Sequence, residues 1–569
     1  MTIARTGYAP ARWALLAALG ALLAIPIPGH CKSKRRATSP AEAPSPEVAQ
    51  IIQRIVTGEK QYVANLKKYS PRVETYLQFD RPDSKLGDTA TNDAYFLGRL
   101  QFSDKPEQIS FLAETGTGFL HNAFFRTLSN PFRAPRLFLD SFATSAMVDA
   151  RYFDAQHYTF TPVGWNYLGD VRCLAIDVSP RGKPVTGAFE GRIWVEDRNY
   201  AIVRLNGTRV NPPRSGFYTH FDSWRENLRP GEWLPVYTYS EETGADSELR
   251  YKANSRFWGY DLTAPHKDEE WTKILVESPA PVHDASEEGA DLSPVESKRQ
   301  QEMEAGRNVL ERLEKARLIA PAGPVDKVLE TVLNNLVVTN HLDNLPPLHC
   351  RVMLTAPLES FPLLYTVVVS RGLVDVLPDE PSLAMVLAHE LAHIALGHKV
   401  STRYAFNDRL LISDEELLAT LDLARNQEEE EAADNKALDF LKNSPYNEKL
   451  RNAGLFLRAA AAAAPVMPHL FGPHLGNRLA NDRRVVRMVA LLGIAPELYP
   501  AKIDQIAALP LGSRVQVNAW DGTVTFPNRK NVALNDPTEK MPFRVSPLYP
   551  HLARYEDLHS TKVSARQTQ

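Results

Sequence analysis

Residues 389–399 read His-Glu-Leu-Ala-His-Ile-Ala-Leu-Gly-His-Lys and close an apolar run that begins at Leu383. Leu383, Ala384, Met385, Val386, Leu387 and Ala388 offer no polar face, so the segment reads as a helix buried on most sides. Two imidazoles and a carboxylate inside such a helix need partners, because each unpaired buried polar group costs about 1–3 kcal/mol. The rest of the chain must therefore bring something to this helix that satisfies them.

The spacing says what that is. His389 and His393 are four residues apart, roughly 6 Å of helical rise, so both rings leave the same face. Glu390 lies about 100° around the helix from His389 and can address a water on a metal without ligating the metal. This is the H-E-x-x-H arrangement of zinc hydrolases. The bland alternative is a core helix whose histidines are hydrogen-bonded by neighbours. A catalytic zinc takes three protein ligands and a water, and the stretch Asn426 to Leu441 offers the third. Among its four successive glutamates, Glu428 to Glu431, only Glu430 falls on the helical stripe continued by Ala433, Asp434, Ala437 and Leu441. Asp434, one turn on, is placed to accept the free ring N–H of a zinc-bound histidine.

His389-Glu390-x-x-His393 followed by Glu430-x-x-Ala433-Asp434 resembles the gluzincin metallopeptidases of the CAAX prenyl protease, HtpX and BepA type, over roughly Pro324 to Leu492. Val367 to Asp375 is similar to that family's edge strand and following turn, and His398 sits where the family often has a histidine after the motif. The resemblance implies one Zn2+ per chain held by His389, His393 and Glu430, with Glu390 as general base and Asp434 behind the ligands. It also implies a histidine and an arginine facing the site after the third ligand, for which His474 and Arg478 are the nearest candidates. The metzincin pattern fails, since Leu396 and Lys399 stand where it needs Gly and His. One departure concerns the loop above the metal. The family has Asn-Ala-Phe before its edge strand, and this chain has Glu359-Ser360-Phe361-Pro362.

With 569 residues, a prior of about 150 per domain predicts three or four units. A net charge of −3 gives no electrostatic case for nucleic acid. Cys31, Cys173 and Cys350 are too few for a disulfide framework or a thiolate zinc site. They are read as unpaired, with a Cys173–Cys350 bridge as the lesser alternative.

Arg5 and Arg12 precede an apolar core from Trp13 to Ile25, which suits a signal peptide better than a spanning helix of about 20 residues. Residues 1–29 are assigned to this leader, with cleavage after Gly29. Lys32, Lys34, Arg35 and Arg36 resist translocation, so an uncleaved anchor is the alternative, and lipidation of Cys31 is disfavoured by His30 before it. The expected location is the cell envelope, periplasmic once the leader is removed.

Residues 30–46 form a disordered tether, and 47–277 a β-rich domain with a leading helix from Glu47 to Tyr69. Strands are expected at Val171–Val178, Gly191–Val195, Tyr200–Leu205, Trp233–Tyr239 and Arg250–Tyr260, an antiparallel meander. Trp165, Trp194, Trp224, Trp233 and Trp258 make this region aromatic, either as its core or as the lining of a cavity for an apolar ligand. Tyr167-Leu168-Gly169-Asp170 and the run Gly191 to Arg204 weakly resemble the half-open barrel of lipoprotein-sorting carriers and periplasmic sigma-factor regulators, which implies a lipid or lipoprotein ligand. Residues 278–294 are a linker and 295–323 a charged connecting helix. Residues 324–500 form the zinc metallopeptidase domain, in which Ser413 and Glu416 make a capping box for a helix leading towards Glu430. Residues 501–569 carry a hairpin around Asp521-Gly522 and a poorly ordered tail from about Asn528.

The fold class is thus α+β and multidomain: an N-terminal antiparallel β-rich domain, then a mainly helical zincin-type domain with a small sheet. The function read from it is zinc-dependent endopeptidase action on envelope proteins, with protein or peptide substrates pairing along Val367 to Val369. The alternative is a chaperone-like or lipid-binding envelope protein whose zinc site is latent or structural.

Overall fold

A computed structural model of the chain describes residues 46–83, 87–102, 107–111, 145–149, 151–183, 185, 187–210, 219–242, 250–262, 294–481, 484–499, 515–518, 522–526 and 543–558. The leader 1–29, the tether to residue 45 and the linker to residue 293 fall outside the described residues. The chain divides after Ile51 into two units. Of the first, Met1–Ile51, only the opening turns of α1 (Pro46–Leu66) are described; everything below concerns the second.

Ten strands form one antiparallel sheet: β1 (Arg72–Asp83), β2 (Gly87–Gln101), β3 (Glu107–Ser110), β4 (Tyr158–Leu168), β5 (Val171–Pro180), β6 (Phe189–Glu196), β7 (Ile202–Arg209), β8 (Thr219–Arg229), β9 (Glu232–Glu242) and β10 (Arg250–Trp258). Their order is β3-β2-β1-β10-β9-β8-β7-β6-β5-β4. Strands β5, β6, β7, β9 and β10 are the expected ones, and β10 then pairs back onto β1, with Arg72 opposite Trp258. The strands β1, β2, β3, β4 and β8 extend the sheet beyond the runs the sequence marks.

Except along the outer strand β4, both faces of this sheet carry buried side chains. Leu66 and Tyr69 pack with Val73, Leu228, Leu234 and Phe257 on one side. On the other, Tyr76, Cys173, Trp194, Trp224, Tyr237 and Tyr239 join a core that includes Phe543, Val545 and Leu552. The aromatic density at Trp194, Trp224 and Trp233 is therefore core, while Trp165 on the outer strand β4 is exposed. The tail expected to be poorly ordered is ordered over 543–558. Gln78 donates to the Phe543 carbonyl and accepts from the Val545 N–H, and the Asp170 N–H donates to the Leu552 carbonyl at 2.8 Å. Side chains and turn amides here supply the hydrogen bonds that a proline-rich segment cannot make for itself. At the β4–β5 turn Gly169 has φ +67, and a Cβ there would lie 2.5 Å from the Leu552 backbone, so that turn admits only glycine.

The second half is mainly helical: α2 (Pro294–Lys315), α3 (Pro324–Thr339), α4 (Arg371–Val376), α5 (Glu380–Leu396), α6 (Leu417–Thr420), α7 (Gln427–Lys442) and α8 (Arg451–Ala463). Its small sheet holds β11 (His349–Met353), β12 (Ser360–Leu363) and β13 (Thr366–Ser370) in the order β11-β13-β12. The expectation that Val367 to Val369 is the edge is overturned. β13 is central, parallel to β11 and antiparallel to β12, and its three valines are fully buried. A continuous apolar run is what a strand paired on both sides requires, whereas Pro362, which has no amide to donate, sits on the edge strand β12. Ser413 and Glu416 do form the reciprocal capping box, but α6 behind it is one turn long and stops before α7. Strands Gln516–Val517 and Val524–Thr525 make the expected hairpin. Cys173 and Cys350 are buried and free. No described helix is long and apolar enough to cross a membrane.

Arg225 on β8 and Glu59 on α1 form a bidentate pair at 2.7 and 2.8 Å with both side chains 1% exposed. Removing one partner of a buried pair strands the other charge, at about 3–5 kcal/mol. Glu59→Ala should lower stability by that amount in urea unfolding followed by tryptophan fluorescence. A loss below about 1 kcal/mol, the level of an exposed pair, would show that this contact does not hold α1 to the sheet.

Candidate metal centre

The helix α5 begins at Asp379, whose carboxylate accepts the Ser382 N–H at 3.0 Å, and ends at Gly397 in the left-handed region. Every residue from Ser382 to Ile394 is buried. His389, Glu390 and His393 thus lie inside the core at 2%, 0% and 0% exposure. The facing helix α7 is capped by Asn426, which accepts the Glu429 N–H at 2.8 Å. It turns Glu430, Ala433, Asp434, Ala437 and Leu441 inward, so of its four successive glutamates only Glu430 is buried.

The two helices bring these side chains to one point. His389 Nε2 lies 3.1 Å from His393 Nε2 and 3.3 Å from Glu430 Oε2. His389 Nδ1 lies 3.0 Å from Asp434 Oδ1, close enough for an ion pair but without hydrogen-bond alignment. His393 turns its other nitrogen to His398, Nδ1 to Nδ1 at 2.9 Å. One of those two rings donates there, which leaves His393 Nε2 facing His389.

His474 joins the group. Its Nε2 is 3.2 Å from Glu390 Oε2 and its Nδ1 is 3.1 Å from the Leu423 carbonyl and 3.4 Å from Glu430 Oε1. One ligand atom from each of His389, His393, Glu430 and His474 lies within 4.8 Å of the other three. Arg478 does not join it: its guanidinium pairs with Glu431 at 2.9 Å and the Gln427 carbonyl at 3.3 Å, on the outer side of α7. The guanidinium at the site is that of Arg487, 2.5 Å from Glu430 Oε2, which also donates to the His474 and Asn477 carbonyls. Nothing in the run Arg483, Arg484, Arg487 marks the third arginine as the inward one. Ser360 is likewise unforeseen; its hydroxyl donates to Glu390 Oε1 at 2.7 Å.

Charge follows from this packing. Burial pushes Glu390 up, but His474, His389 and His393 outweigh it and hold the carboxyl well below the usual range. Burial likewise opposes Glu430 and Asp434, which His389 and Arg487 bring down. Burial and the adjacent His389 depress His393, which is neutral. Burial and Arg487 depress His389, and Asp434 and Glu430 more than restore it. Three ionised carboxylates therefore face one guanidinium and a group of imidazoles. His389 Nδ1 and Asp434 Oδ1 are buried facing one another at 3.0 Å, but Glu430 Oε1 is buried without a hydrogen bond, and the Nε2 atoms of His389 and His393 have only each other and Glu430, a combination that a folded core does not retain without compensation. Two imidazoles and a carboxylate, electronegative and underbonded, fit a zinc ion.

Residues 358–474 match the sequence profile of peptidase family M48, a metallopeptidase family. No curated protein matches the chain. Among solved structures, one similar chain is a domain described as an outer membrane lipoprotein-sorting protein, from Vibrio parahaemolyticus. It has 9% identity and a TM-score of 0.23, over 39% of this chain and 97% of that one. Another is a DUF1329 family protein from Desulfovibrio piger, with 10% identity and a TM-score of 0.19, over 39% of this chain and 96% of that one.

A metal that compensates those buried atoms must stabilise the fold. Dialysis against a chelator should lower the melting temperature, and Glu430→Ala should bind little zinc and melt at one temperature with or without chelator. Equal zinc content in wild type and Glu430→Ala, by elemental analysis, would remove Glu430 from the ligand set.

Proposed function

We propose that the chain is a zinc-dependent endopeptidase of the cell envelope, with one Zn2+ held by His389, His393 and Glu430. The observation that carries this reading is the convergence of those three side chains inside the core, where Glu430 Oε1 is buried without a hydrogen bond. Bound zinc would polarise a scissile carbonyl and bring the pKa of a water on it to about 7.

The chain's own residues do the rest. Glu390, ionised and held by the Ser360 hydroxyl, takes the proton of the attacking water and passes it to the leaving amine. His474 turns Nε2 to Glu390 and Nδ1 to the Leu423 carbonyl; its Nε2–H serves the developing oxyanion once Glu390 has taken the proton of the water and no longer holds it. Arg487 neutralises one oxygen of Glu430, and Asp434 steadies His389. Protein substrates follow from the peptidase likeness. The envelope location rests on the charged and apolar pattern of residues 1–29, with a membrane anchor as its variant.

One observation favours a second reading, in which the site is latent and the protein binds clients or lipidated partners. The cavity beside Glu390 has about 10 Å³ of room, the space of one water, and an extended peptide needs far more. Val163, Trp165 and Tyr167 on β4 are exposed and would serve such binding.

Glu390→Gln should retain zinc and lose more than about 100-fold of kcat/KM on casein, the scale of a general base. Cleavage at the wild-type rate would eliminate Glu390 as the base. Zinc-loaded wild type that cleaves nothing yet suppresses client aggregation would establish the binding reading instead.

A further inference from the structure

Two adjacent residues at the start of the small sheet's edge, Glu359 and Ser360, both reach the reacting groups. Ser360 opens the edge strand β12 and donates its hydroxyl to Glu390 Oε1 at 2.7 Å. Glu359, one residue earlier and 2% exposed, directs its carboxylate at backbone amides. Its Oε2 accepts the His474 N–H at 2.9 Å, and its Oε1 accepts the Leu475 N–H at 2.8 Å and the Ser360 N–H at 3.0 Å. Adjacent side chains thus hold the two groups whose mutual distance is 3.2 Å, Glu390 Oε2 and His474 Nε2.

The surroundings are shaped for this carboxylate. Ser370 Oγ accepts the Glu359 N–H at 3.0 Å and the Leu373 N–H at 3.1 Å, fixing the Glu359 backbone to the start of α4. A Cβ at residue 472 would sit 2.1 Å from Glu359 Oε2, so Gly472 is the space the carboxylate occupies. Burial pushes the Glu359 carboxyl up to about 7, against the pull of His474 and of the His474, Leu475 and Ser360 N–H groups, and both of its oxygens serve as acceptors for those amides.

We propose that Glu359 and Ser360 are paired positioning residues: Ser360 aims Glu390, and Glu359 fixes His474 through its backbone so that the imidazole meets Glu390. Neither residue touches substrate or metal. The proposal rests on the metallopeptidase reading for the roles of Glu390 and His474, but the placement of His474 by Glu359 has a readout of its own.

That readout is diethylpyrocarbonate modification of His474 in the zinc-loaded full chain, followed by peptide mass spectrometry. Wild type should be protected. Glu359→Gln, which puts an amide N–H against the His474 N–H, should be labelled at least about tenfold faster. Gly472→Ala should do the same by evicting the carboxylate, and it leaves Glu359 itself unchanged. Both variants and Ser360→Ala should lose about tenfold or more in kcat with KM and zinc content unchanged, in line with the cost of misplacing a reacting group. Ser360→Thr, which keeps the hydroxyl, should recover most of it. His474 protected in both Glu359→Gln and Gly472→Ala overturns the proposal, whatever the activity. A wild-type kcat in Ser360→Ala overturns the part played by Ser360. Wild type without zinc or without cleavage defeats the metallopeptidase reading alone, because the labelling result still decides whether Glu359 holds His474.

Discussion

The carboxylate of Glu430 has no exposure to solvent, yet it is ionised, and the architecture of the second half of the chain can be traced from that fact. A charge taken out of water needs compensation close at hand. Here His389 supplies part of it from α5, and Arg487 supplies more from beyond the end of α8. Because Arg487 spends its other hydrogen bonds on the carbonyls of His474 and Asn477, the group that stabilises the carboxylate also ties down the segment carrying His474. Two helices and a connecting loop are thus bound to one another through a single oxygen pair. The oxygen left over, Oε1, has no hydrogen bond of its own and so leaves the pair an acceptor to offer a cation.

The ten-stranded sheet belongs to the same mechanical system. The stretch from Met467 to Leu475 runs past it and into the site, and it is held at each step. Gln78 reaches Met467, Asp93 takes both the backbone and ring N–H of His469, and Leu358 pairs with Leu470 and Gly472 before Glu359 receives His474. Further ties cross between the sheet and the helical half at Glu74 with Arg371 and at Arg72 and Arg99 with Glu415. These contacts are charged, buried or half-buried, and dependent on both partners, so displacing the sheet would disturb the His474 segment directly. The sheet's side chains therefore help to set the dimensions of the site, although none of them enters it.

How much of this could be read beforehand depends on the range of the interaction. The α5 motif and the inward stripe of α7 are local periodicities, and both His389–His393 and Glu430–Asp434 stand where those periodicities put them. The strand β1 is a different case. Its alternation of Val73, Leu77 and Phe79 with Glu74, Gln78 and Asp80 resembles a half-exposed segment, but the polar face is buried against the helical half, which only the tertiary fold determines. Arg487, Ser360 and the hydrogen-bonded tail at Phe543 to Leu552 are invisible for the same reason: each earns its place from a partner many residues away. Apolar content points to the wrong edge strand because burial and register decide which of two neighbouring strands is outermost.

That last point bears on how a polypeptide would meet this site. In an antiparallel pair, alternate residues turn their amide and carbonyl towards the free side. On β12 the Glu359 carbonyl accepts from Ser370 across the pair, so Ser360 and Pro362 are the outward ones. The Ser360 N–H is already taken by the Glu359 carboxylate at 3.0 Å, and Pro362 has none. The strand nearest Glu390 consequently presents carbonyl acceptors without amide donors, and just before it Leu358 is already paired with the segment 470–472. A strand added here would have its amides satisfied and its carbonyls left over, about half of an ordinary ladder. Recognition at this edge must then draw on something besides backbone pairing. The nearest material for it is the apolar wall of Met385, Phe456, Leu475 and Met488 around the small cavity.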